Sequence, residues 1–103
     1  MAINSFETLQ NKLSRVNVDE MYATICSNIK KYRLEKYNEF KSKNSQSTIN
    51  PYSTENVAAL LDYNHNHYKR FESMTDSTKR MPFEKIVKLS IILEKSIEEL
   101  IEE

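Results

Sequence analysis

A chain of 103 residues without a single glycine has poor access to the left-handed turns of tight hairpins and Gly-rich phosphate loops, and Pro51 and Pro82 are its only prolines. One small, all-α domain is the expectation. Fifteen basic and fifteen acidic side chains cancel, which excludes a broad polyanion-attracting field, yet residues 21–80 hold ten Lys/Arg against six Asp/Glu.

In chain order, Phe6, Leu9, Leu13 and Val16 recur at helical spacing and predict a first helix over 6–16, capped by Ser5. A second helix is expected from an Asp19 cap through "EMYATICSNIKKYRLEKYNEFKSK", with Ile25, Ile29, Tyr32, Tyr37 and Phe40 along one line. The polar run "KSKNSQSTIN" reads as a loop. Ser53 then caps a short helix, "TENVAALL", marked by Val57, Leu60 and Leu61. After "DYN", Asn64 caps "HNHYKRFE". "SMTDSTKRM" reads as loop, Pro82 opens "FEKIVKLSIILEK", and Ser96 caps a last turn or two, "IEELIEE".

Cys26 is the single cysteine, so no internal disulfide forms and a reducing cytoplasm is the expected location. The N-terminus lacks a signal-peptide pattern, and no apolar run reaches the ~20 residues needed to cross a bilayer. No membrane partner is expected.

His65 and His67 are the only histidines. Two residues apart on a helix, they point about 200° away from each other, whereas helical zinc ligands sit four apart on one face. No cysteine pair or carboxylate cluster accompanies them, so no metal or other cofactor is expected. Nucleophile motifs are absent too, and an enzyme is not expected. The pattern fits two short helices meeting across a three-residue turn. Ala58, Leu61, Tyr63, Tyr68 and Phe71 would line the contact. His65, Asn66, Lys69 and Arg70 would face outward, either as a solvated polar face or as groups that bond base edges: Asn with adenine, Arg with guanine.

The stretch from Ile25 to Ile101 resembles the lambda-repressor-like, or xenobiotic-response-element type, helix-turn-helix regulators. The family pattern "L-S-Q-E-E-L-A-x-x-L-G-V-S-x-x-x-I-x-x-x-E" is met here by "YSTENVAALLDYNHNHYKRFE", residues 52 to 72, without a gap. Ala58, Leu61 and Glu72 fall in register, and Ser96, Glu99 and Leu100 match the ending of the closing helices. The departures are Asp62 in place of the turn glycine, Thr54 in place of a phosphate-gripping glutamine, a polar insertion at 39–51, and an extra helix within residues 1–20.

That resemblance implies a five- to six-helix bundle: a helix-turn-helix core at 52–72, an extra N-terminal helix and an insertion before the first helix of the unit. It also implies a structural salt bridge between Arg33 and Glu72. In function it implies a sequence-specific double-stranded DNA-binding transcriptional regulator, a repressor of phage, plasmid or other mobile-element type. Asn64 would cap the recognition helix, and His65, Asn66 and Arg70 would read bases with Lys69 beside them. Thr54, Lys79 and Arg80 would hold phosphates. Such proteins dimerise on palindromic operators. Ile97, Leu100 and Ile101, or the Phe6/Leu9/Leu13 stripe, would supply the interface, the first helix being favoured. The alternative is a protein-binding helix-turn-helix module, such as an anti-defence factor or antitoxin; the insertion carries Lys41 and Lys43, which would either track DNA or dock a protein partner.

Overall fold

The computed structural model describes residues 5–43, 49–73 and 80–103. Among these the chain is all-helical: α1 (Phe6–Ser14), α2 (Val18–Lys43), α3 (Thr54–Leu60), α4 (His65–Ser73), α5 (Phe83–Leu93) and α6 (Ile97–Ile101).

Side-chain caps set most of the helix starts. Ser5, Ser53 and Ser96 each accept a backbone N–H from the first turn of α1, α3 and α6, and at Ser96 the Glu99 carboxylate completes a reciprocal capping box. Helix α2 begins earlier than the Asp19 cap expected from the sequence. Asn17 Oδ1 accepts from Glu20 N–H at 3.1 Å, so Asn17 is the cap and Asp19 lies in the first turn. The first helix is also shorter at its end than 6–16, since Arg15 already occupies the C-cap position.

The insertion at 39–51 is not a loop throughout. Residues 39–43 continue α2, as nothing in "EFKSK" breaks a helix and the Glu39–Lys43 pair at 3.0 Å supports its last turn. At the other end, Asn50 Nδ2 donates to the Tyr37 carbonyl at 3.1 Å, and the Phe40 and Tyr52 rings meet edge-on. Residues 44–48 lie outside the described residues.

Helices α2 to α6 pack around one apolar core, with α2 touching α4, α5 and α6 and with α3 against α4. Ile29 of α2, Val57 and Leu61 at α3, Tyr68 of α4, Leu89 and Leu93 of α5 and Leu100 of α6 are fully enclosed. Met81, in a stretch that reads as loop, is also buried and ties the approach to α5 into this core.

Leu100 is therefore part of the core, and half-buried Ile97 packs against it, whereas Ile101 is exposed; two of the three residues of the C-terminal stripe are intramolecular contacts. By contrast α1 buries nothing. Among the described residues it packs on no other helix. No described helix is long and apolar enough to cross a membrane.

Candidate nucleic-acid interface: the α3–α4 unit

Helix α3 has seven residues and α4 has nine, joined by Leu61–Asn64. The turn depends on Asp62, whose φ of 58° lies in the left-handed region. Glycine would take that conformation without strain; aspartate is among the few other residues that visit it routinely. The Tyr63 N–H returns to the Ala58 carbonyl at 2.9 Å, and Lys85 Nζ donates to the Leu61 carbonyl at 2.6 Å. A cation from α5 thus sits on the negative end of α3 and fixes the turn to the bundle. Basic residues in later helices carry no local sign of that contact.

Beyond the turn, Asn64 Oδ1 accepts the Asn66 N–H at 2.9 Å and the Asn64 carbonyl accepts from Tyr68 at 3.0 Å, which makes Asn64 the N-cap of α4. The inner face of α4 is Tyr68 and Phe71, buried against Ala58 and Leu61 of the first helix and its end. Half-buried Tyr63 and His67 stack with Phe71 in a three-ring cluster with centroids 5.0–5.4 Å apart. His67 is thereby a packing residue at the edge of the core.

Arg33 of α2 reaches the last turn of α4. Its Nε and Nη2 donate to the two Glu72 carboxylate oxygens at 2.5 and 2.9 Å, and Nη1 donates to the Tyr52 carbonyl at 3.0 Å. Both side chains are only 7% exposed. One guanidinium thus joins α2, the segment leading into α3, and α4, in the two-pronged geometry that suits arginine.

Burial alone would lower the Arg33 pKa, but its hydrogen bonds to Glu72 and the carboxylate charge outweigh that and raise it. Next to the pair, burial and then the Glu72 charge push the Tyr68 phenol far above its ordinary range. The Cys26 thiol is raised by the same two causes in the same order, and it is a buried free thiol.

On the opposite side of α4, Asn66, Lys69 and Arg70 are exposed and follow one another at helical spacing. His65 is half-buried, with Nε2 2.8 Å from the Thr54 hydroxyl at the start of α3. This contact between the first residues of the two helices was not anticipated from the sequence, because eleven positions separate them. Arg80 is exposed but engaged: it pairs with Asp19 of α2 at 2.9 Å and lies over the Tyr22 ring. Lys79 lies outside the described residues.

The eight candidate DNA contacts thus divide. Thr54, Asn64, His65 and Asn66 lie at the starts of α3 and α4, Lys69 and Arg70 continue the exposed edge along α4 to its last turn, Arg80 is tied to α2, and Lys79 is outside the described residues. Among the described residues no three His, Cys, Asp or Glu side chains come together as a metal-binding group. Comparison with protein-family models, with curated proteins and with solved structures finds no match.

Proposed function

We propose that the protein is a sequence-specific double-stranded DNA-binding regulator of the lambda-repressor-like helix-turn-helix type, acting as a repressor in a phage, plasmid or other mobile element. The observation that carries this reading is the polar edge of α4: exposed Asn66, Lys69 and Arg70 on a helix whose other face is locked to the core by Tyr68, Phe71 and the Arg33–Glu72 pair. At nine residues, α4 is a rod about 14 Å long, the scale of a major groove about 12 Å wide.

In this reading Asn66 and Arg70 bond adenine and guanine edges, and Lys69 takes a base or a phosphate. Thr54 and His65 act together rather than as separate phosphate and base contacts. Their hydrogen bond orients the imidazole, and a phosphate oxygen approaching the start of α3 meets the hydroxyl and the ring as one unit. Arg80 reaches a flanking phosphate by exchanging its exposed pair with Asp19, a pair of the kind worth at most about 1 kcal/mol. Two copies bind a palindromic operator, since one short helix supplies little contact area.

A second reading, a protein-binding module of the anti-defence or antitoxin kind, is favoured by the zero net charge and by the uncovered apolar face of α1. Selection of bound fragments from random duplex DNA, followed by titration of the winners over a salt series, separates the two. A defined consensus and affinity that falls steeply with salt support the DNA reading; no enrichment, or salt-insensitive binding, favours the protein partner.

A further inference from the structure

Two apolar stripes remain uncovered. On α1, Phe6, Leu9 and Leu13 are 77%, 45% and 69% exposed, and Val16 just beyond the helix adds to them. On α5, Phe83 and Ile91 are 66% and 72% exposed with half-buried Val87 between them, although the opposite face of α5 is core. Positions 83, 87 and 91 are four apart and form one line; positions 6, 9 and 13 form another. Each line is about 10–12 Å long at 1.5 Å per residue.

We propose that α1 is an exchange arm: in a dimer, α1 of each copy lies antiparallel along Phe83, Val87 and Ile91 of α5 of the other. Area selects this occupant. The α1 stripe offers on the order of 400 Å² of apolar surface and the α5 stripe roughly 300 Å². Pairing α1 with α1 would bury only about 800 Å² in total, the size of a lattice contact, whereas two reciprocal α1–α5 contacts bury about 1,400 Å², within the range of specific dimers. The antiparallel approach also opposes the two helix dipoles and brings Glu7 toward Lys88, which pairs with Glu84 of its own helix at 3.2 Å. Among the described residues α1 packs on no other helix, which leaves its apolar stripe available for exchange.

The proposal concerns self-association and holds whether or not DNA is the ligand, so it is tested without DNA. Sedimentation of the full chain over a concentration series should give a dimer. Leu13→Asp and Ile91→Asp, both at exposed sites, should each raise the dissociation constant at least tenfold while circular dichroism stays unchanged. In a Cys26→Ala background, a Leu13→Cys chain mixed with a Phe83→Cys chain under mild oxidation should yield the mixed disulfide dimer in excess of either homodimer. A wild-type monomer at all concentrations overturns the proposal. So does preferential Leu13→Cys homodimer, which would mean α1–α1 pairing, and so does an internal disulfide in a single chain carrying both Leu13→Cys and Phe83→Cys, which would mean α1 folds onto its own α5.

Discussion

Replacing Arg33 by methionine keeps most of the side-chain volume and removes the cation. Three hydrogen bonds go with it, two to Glu72 and one to the Tyr52 carbonyl. The larger effect is what remains, a carboxylate only 7% exposed, beside Tyr68, with no counter-charge from α2. Removing one partner of a buried pair costs about 3–5 kcal/mol. Domains of this size are stable by about 5–15 kcal/mol, so the variant should be marginally folded, with a melting temperature roughly 15–30 °C lower.

Restoring neutrality should reverse most of that. In Arg33→Met/Glu72→Leu neither charge is left alone, and stability should return to within about 1–2 kcal/mol of the parent, because well-packed apolar pairs replace buried ion pairs with little loss. Urea denaturation of the parent, both single variants and the double variant gives the coupling energy directly. If Arg33→Met costs less than about 1 kcal/mol, the value of a solvated pair, the pair is not the clamp described here.

Asp62→Gly should stabilise the protein by about 0.5–1 kcal/mol, because glycine removes the left-handed penalty at φ 58° and returns part of the gain as backbone entropy; thermal melts read it, and destabilisation would contradict the turn geometry. Arg70→Ala should leave the fold unchanged but cost about 1–3 kcal/mol in binding a selected operator and relax specificity at one base pair, measured by competition with single-base variants. Burial and the Glu72 charge hold Cys26 protonated, so alkylation should be slow in the native protein at neutral pH and accelerate sharply on unfolding; native labelling at the rate of a free thiol would contradict the packing around α2.

Local signals carried much of the fold. Serines ahead of apolar-periodic runs gave the starts of α1, α3 and α6, and Ala58, Leu61, Tyr68 and Phe71 lie inside as their spacing requires. Asn17 and Asp19 are both good caps two residues apart, and a local pattern does not choose between them; the structure uses Asn17.

Where tertiary contacts decide, the sequence was mute. Leu60 and Phe83 fit helical stripes yet are exposed, Met81 sits in a polar run yet is buried, and Arg80 finds Asp19 sixty-one positions away. At the candidate site, the exposure of Asn66, Lys69 and Arg70 followed from helical periodicity. The Thr54–His65 contact and the Lys85 clamp on the turn depend on how three helices meet.

Whether the outer edge of α4 meets a charged duplex is read from the salt dependence of binding to a selected operator. With about six phosphates neutralised by the two copies together, affinity should fall about 10³-fold from roughly 50 to 200 mM salt, and Lys69→Ala, present in both copies, should reduce the slope by about two units if that lysine holds a phosphate. An operator affinity that is flat across that range, or a slope and consensus unchanged when Asn66, Lys69 and Arg70 are all replaced by alanine, would contradict the account.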